Sequence, residues 1–177
     1  MDSLAEIEKE QKRWQNTTLK SWLEKRPERD MKFSLIDPES FNIVTPKFEQ
    51  WMAKYLALKK GDVFLDIGAH IGKYTIQVAK IVGDKGLVIS IEPHPENFKV
   101  LNKNLLLNQL RNVKTFNIAG WNEKCKLKLY EGKYSGLHSV KKDLQILLGN
   151  APSERTFFNI SAKPIDYVIK TLKVNVN

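Results

Sequence analysis

Only one cysteine, Cys125, occurs among the 177 residues. That excludes an internal disulfide framework and any metal site built from several thiolates, and it fits a reducing, cytoplasmic setting. No apolar run approaches the ~20 residues a membrane helix needs; Leu87-Val88-Ile89-Ser90-Ile91 is characteristic of the short runs present. The first turns after Met1 are charged, so we expect neither a signal peptide nor a membrane span. Histidine is scarce as well: His70, His94 and His138 are the three imidazoles available for acid–base work.

What the chain does have is a 42% hydrophobic content, enough for one domain with a buried core, and a formal charge of +9. The charge is uneven. Residues 122–177 carry ten Lys and Arg against five Asp and Glu, while residues 1–32 carry eight against seven. The excess favours anionic partners without naming one. Lys141, Lys142, Lys124, Lys126 and Lys128 suggest a basic face, but aromatic interleaving is limited to Tyr130 and Tyr134, so a solvated surface is the simpler reading and nucleic acid the lesser one.

Residues 4–26 read as an amphipathic helix ended by Pro27, and we take 1–44 as an N-terminal helical extension. Asp37-Pro38-Glu39-Ser40 reads as a turn. Thr45-Pro46 then opens a helix reaching about Lys59, the start of a second unit, 45–177. Strands at 63–65, 87–91 and 113–118 alternate with helices at 71–82 and 95–107, which is a repeated βαβ signature. The strands are continuous apolar runs, as in a parallel sheet covered on both faces. Residues 124–129 alternate at period two, an exposed edge strand guarded by lysines. No assignment emerges between 140 and 160 beyond a short helical stretch at 144–148 and a loop near Pro152. A helix at 166–172 leads into a final strand at 174–177. A doubly wound sheet normally carries more strands, so the chain reads as truncated at its fourth parallel strand, or completed by another chain in a homo-oligomer.

The chemistry concentrates at the strand tips. Asp66-Ile67-Gly68-Ala69-His70-Ile71-Gly72 ends a buried strand in a carboxylate and turns through glycines into a helix whose start offers amide donors. Asp66 would repel a dinucleotide's phosphates and suits a ligand carrying ammonium and sulfonium charges. His70 also replaces the second glycine that the dinucleotide fingerprint needs. Glu92-Pro93 ends the next strand, where a carboxylate can accept both ribose hydroxyls. Ile118 and Ala119, after the third strand, would border an adenine. Tyr74 and Thr75 read as helix packing residues, and Asn104 and Asn108 as helix surface and end residues.

These residues, with Ile91-Glu92-Pro93-His94-Pro95-Glu96-Asn97-Phe98, Leu101-Asn102-Lys103-Asn104 and Asn112-Val113, resemble the FkbM-like family of class I S-adenosylmethionine-dependent methyltransferases. The resemblance runs from about Gly61 to Leu129. It implies an α/β, Rossmann-like, doubly wound and mostly parallel sheet, with S-adenosylmethionine as cofactor. The implied activity is methyl transfer to a hydroxyl on a sugar, glycan or small-molecule acceptor. Asn122 stands where the family commonly has an acidic residue. The expected cofactor-binding residues are Asp66, Gly68, Ala69, His70, Gly72, Glu92, Pro93, Ile118 and Ala119, with no metal and no assigned catalytic base. The competing readings are a non-catalytic cofactor-binding remnant and an RNA methyltransferase using the basic C-terminal region.

Overall fold

The structure, a computed structural model, describes residues 31–45, 58–141 and 157–172. The expected helices at 4–26 and after Thr45, the stretch at 144–148, the Pro152 loop and the strand at 174–177 lie outside these residues, Thr45, Leu58 and Lys59 excepted.

Strands β1 (Val63–Ile67), β2 (Leu87–Ile91) and β3 (Val113–Phe116) form a parallel sheet with β2 in the middle. Val63 stands opposite Leu87, and Val88 opposite Val113. Helices α2 (Lys73–Val82) and α3 (Pro95–Leu107) make the two crossovers. Because successive strand side chains leave on opposite faces, β2 needs apolar cover on both. Val88 packs with Val78, Ala79 and Val82 of α2, whereas Ile89 and Ile91 pack with Val168 of helix α4 (Ile165–Leu172). Each of the buried valine and isoleucine side chains among these contributes roughly 1.5–3 kcal/mol of transfer free energy. β2 is thereby the most deeply buried of the described strands, and its tip is a firm base for a site.

Residues before position 45 enter the same core. Met31, Phe33, Leu35 and Val44 pack with Ile71, Ile76, Leu101 and Leu105. The Asp37–Ser40 turn of the sequence reading is in fact the start of a helix, α1 (Pro38–Val44). Asp37 caps Ser40 N–H, Ser40 Oγ accepts from the Asp37 amide, and Pro38 occupies the first helical turn. At seven residues the helix is too short for a periodicity to declare itself.

Two further expectations change. The third strand does not run to Ile118: Asn117 donates through Nδ2 to the Glu92 and Pro93 carbonyls, which pulls the chain off the sheet after Phe116. Ala119–Gly120 then forms β4 of a second sheet, of order β4-β6-β5, with β5 (Cys125–Tyr130) antiparallel and β4 parallel to β6 (Phe157–Lys163). β5 is an edge strand as read, with Lys126 and Lys128 exposed. β6, which falls in the stretch left unassigned, buries Ile160 and Ala162 at alternate positions against Leu129 and Ala119.

Asn104 is not a surface residue but fully buried. Its Oδ1 accepts from Ser34 N at 2.6 Å, and its Nδ2 donates to the Ser34 carbonyl at 3.1 Å and the Ile71 carbonyl at 2.8 Å. One helical turn later, Asn108 does the same for Lys32, accepting its N–H at 2.9 Å and donating to its carbonyl at 2.7 Å. Two amides spaced by a turn of helix match two alternate residues of an extended chain, so α3 holds the segment 32–34 by side chains in place of a neighbouring strand.

Candidate active site at the strand tips

Gly68 has φ +82 and an empty space where a Cβ would stand, so the backbone lies bare at the tip of β1. Gly72, at φ +94, is needed for a different reason: a Cβ there would come within 2.6 Å of Leu101 Cδ1, so its absence lets α3 pack on the turn. Between them His70 adopts φ +52, a left-handed conformation that costs a non-glycine residue of order 1 kcal/mol. Ile67, beside Gly68, is 57% exposed, an unusual position for an isoleucine at the tip of a core strand.

The turn's amides are mostly committed inside the protein. Gly68 and Ala69 both donate to the Ile91 carbonyl, at 2.8 and 3.0 Å, and Gly72 donates to the Ala69 carbonyl. The His70 N–H donates to Glu92 Oε2 at 2.8 Å, and the His94 N–H to Oε1 at 2.9 Å. The turn therefore does not present the row of vacant donors that a helix start suggests. Glu92 is a clamp joining the tips of β1 and β2, 95% buried, with each oxygen retaining acceptor capacity beyond its one amide.

Asp66 is turned toward α2, where it accepts from Thr75 Oγ1. With the one proton of that hydroxyl given to Asp66, Ser90 is the donor in the 2.8 Å contact between Ser90 Oγ and Thr75 Oγ1. Thr75 is thus more than packing. Asp66 and Glu92 stand on one rim, close enough for the Asp66 charge to help raise the Glu92 pKa. Burial is the larger cause and raises both carboxyls above their usual values, opposed at Asp66 by Thr75 and at Glu92 by the two main-chain N–H groups and the Asn97 side chain. Pro93 is half-buried beside this clamp, while Ile118 and Ala119, both buried, lie just past the Asn117 turn that is tied to it.

All three histidines converge here, which their spacing in the sequence did not reveal. The chain from Tyr130 to Ser139 closes on itself by a paired bridge and lays its tip against the rim. Ser135 Oγ meets His70 Nε2 at 2.8 Å, the Ser135 carbonyl accepts from Asn97 Nδ2 at 2.9 Å, and its N–H donates to Asp37 Oδ2 at 2.7 Å. His94 caps α3 and stacks on His138 with ring centroids 3.9 Å apart. Its Nε2 lies 3.5 Å from Glu131. Sequence reasoning missed Ser135 and Asn97; the one signal was that Ser135 sits in a glycine-flanked turn, Gly132 to Gly136, after a strand.

Burial lowers the imidazoles, His70 and His138 to about 4 and His94 in the same direction against the pull of Glu131. They are neutral in the fold at pH 7. The unfolded chain protonates first as pH falls through about 6.5, so their contribution is complete above that value and is lost as pH drops toward 4. The raised carboxyls act with the opposite sign, their contribution decreasing as pH rises above about 4. The difference between the parent chain and His138→Gln isolates the imidazole. Thermal melts should show the parent's advantage at pH 7 shrinking by pH 5; an advantage constant with pH would mean that His138 is not held neutral by the fold.

The pattern of the methyltransferase FkbM domain matches residues 66–176, more than half of the chain. Over 71 residues, 40% of the chain, it is 35% identical to protein-L-isoaspartate O-methyltransferase 1 of Archaeoglobus fulgidus, spanning 33% of that protein. Over 116 residues, 63% of the chain, it is 33% identical to the human tRNA (guanine(37)-N(1))-methyltransferase, spanning 20% of it. The chain therefore covers a third or less of the length of these curated relatives. Among solved structures, a SAM-dependent methyltransferase from Aquifex aeolicus aligns with 51% of this chain and 46% of its own at 27% identity, with a TM-score of 0.38. The strand-tip turn from Asp66 to Gly72, the Glu92 clamp and the parallel sheet beneath them all lie in or abut the matched region, and the chain belongs to the FkbM family of S-adenosylmethionine-dependent methyltransferases.

Proposed function

We propose that this chain binds S-adenosylmethionine at the rim between Asp66 and Glu92 and methylates a hydroxyl on a sugar or other small-molecule acceptor. The observation that carries the reading is the bare backbone at Gly68, open to a ligand and flanked by two carboxylates on one rim. The residues fit the cofactor. A cation arriving beside two buried acidic groups favours their charged forms against the desolvation that raises both, Ile67 offers exposed apolar surface beside the glycine, and Glu92 keeps lone pairs for ribose hydroxyls.

When bound, S-adenosylmethionine supplies a methyl group made electrophilic by its sulfonium. The chain's own contribution is placement. Gly68 permits close approach, Ala69, His70 and Gly72 shape the turn, and Glu92 fixes that turn to β2. Asp66, anchored by Thr75, holds the start of α2 and contributes charge in place of a direct ligand contact. Pro93, Ile118 and Ala119 border the side where the adenine would lie. In favour of a hydroxyl acceptor, a neutral imidazole, His70, already sits at hydrogen-bonding distance from a hydroxyl, that of Ser135.

Titration calorimetry of the chain with S-adenosylmethionine and S-adenosylhomocysteine tests the cofactor reading. Saturable heat at micromolar to submillimolar ligand is expected, and the absence of heat from either at millimolar concentration overturns it. Methyl transfer from labelled donor to a panel of glycosides and small alcohols tests the acceptor class; label arriving only on amines or carboxylates would exclude the hydroxyl.

A further inference from the structure

The second sheet pairs strands that are far apart in sequence, and its outward face gathers a set of residues no single segment contains. In β5 the inward positions are Cys125, Leu127 and Leu129, opposite Ala162, Ile160 and Phe158. The outward rows are then Lys126 beside Ser161, Lys128 beside Asn159, and Tyr130 beside Phe157, with Lys124 and Lys163 at the end of the ribbon. Four of these eight side chains are lysines, two are aromatic, and none is acidic. The aromatic interleaving absent from the sequence around Lys124–Lys128 is supplied by strand pairing.

The rings and the charges are in register with one another. Lys128 Nζ lies 4.4 Å from the Phe157 ring centroid and Lys124 Nζ 3.6 Å from that of Tyr167, with Lys163 Nζ at 5.7 Å from the same ring. Phe157 and Tyr167 remain 37% and 39% exposed, and Trp121, next to the ribbon's end, 39%. Each ring is thus shielded in part by a lysine while more than a third of the residue stays open to water. Alternating cations and half-open rings on a flat ribbon match a chain of phosphates separated by stacking bases.

We propose that the outward face of β5 and β6 is a docking surface for single-stranded RNA. Lys124 and Lys128 swing from the rings of Tyr167 and Phe157 to phosphates, which opens those rings for stacking. Lys163 and Lys126 meet further phosphates, Lys126 leaving Ser161 Oγ, to which it donates at 2.9 Å, and Asn159, between the lysines, supplies a polar group that a 2′-hydroxyl can engage. A duplex cannot use the rings, since its bases are already stacked, and a lipid surface has no planar groups to place on them. The surface is independent of the cofactor rim and of the acceptor proposed above.

Fluorescence anisotropy with a labelled 12-nucleotide oligouridine tests it on the whole chain. With three or four phosphate contacts, affinity should fall roughly 20- to 50-fold between 50 and 200 mM monovalent salt. The double substitution Lys126→Gln with Lys128→Gln should weaken binding about tenfold at 50 mM and flatten the salt slope. Phe157→Ser should weaken it fivefold or more with little change of slope. Should Phe157→Ser fail to fold, the lysine pair, which is exposed, carries the test alone. Binding unchanged in the lysine pair overturns the proposal. So does tighter or equal binding to oligothymidine, or binding to heparin or phosphatidylserine vesicles with none to oligouridine.

Discussion

Replacing Asn104 by alanine should lower stability by about 3–4 kcal/mol and the melting temperature by roughly 6–16 °C. The side chain is fully buried and makes three hydrogen bonds, and alanine strands all three partners: Ser34 N–H, the Ser34 carbonyl and the Ile71 carbonyl. An unsatisfied buried polar group costs about 1–3 kcal/mol, and part of that cost is relieved when the 32–34 segment lifts to meet water. Lifting it has its own penalty, because Met31, Phe33 and Leu35 leave the core with it. Asn108→Ala is the internal control. It serves the more exposed Lys32, whose freed groups reach solvent at once, so a loss near 1 kcal/mol is expected. Chemical denaturation measures both, and a loss below 1 kcal/mol for Asn104→Ala would show that α3 does not hold the segment.

The second large effect is expected at Glu92, on binding and on stability together. Glu92→Gln keeps one acceptor oxygen and turns an amide NH2 toward the other main-chain N–H, so either the His70 or the His94 amide loses its partner. A melting temperature several degrees lower follows, with the tips of β1 and β2 less firmly joined. Affinity for S-adenosylhomocysteine should fall about 10- to 150-fold if the same carboxylate holds the ribose, corresponding to ~1.5–3 kcal/mol for hydrogen bonds to a charged group. The two consequences separate cleanly. A folded Glu92→Gln chain that melts lower yet binds as before retains the clamp and loses the ribose assignment.

Much of the parallel sheet was legible because its logic is local. Leu87–Ile91 is an apolar run broken only by Ser90 and bounded by Gly86 and Glu92-Pro93, and Pro95 fixes the start of α3 at the residue where it begins. The residue types at the tips were legible for the same reason: a carboxylate and two glycines at a strand-to-helix turn narrow the chemistry. Orientation was not. Whether Asp66 faces a ligand or α2 depends on Thr75, nine residues on, and on Ser90, fifteen residues beyond Thr75, which only the fold brings together. Asn104 was misread because an amide looks like surface when its partners are main-chain atoms 70 and 33 positions away, whereas Asn108 does end α3 as read. The convergence of His70, His94, His138 and Ser135 is a product of the second sheet, whose central strand β6 the reading did not find. Its period-two pattern, Phe158, Ile160, Ala162, was present but short and flanked by polar residues.

The break at Asn117 also shapes the order in which the chain can assemble. Val63 finds Leu87 across 24 residues, whereas Ala119 must await Ala162, 43 residues on, before β4 has any partner. The longer closure carries the greater entropic penalty and the slower search. The parallel layer can therefore form as an early scaffold, and the Phe158 ring that packs edge-on against His94 reaches the histidine rim only when β6 arrives.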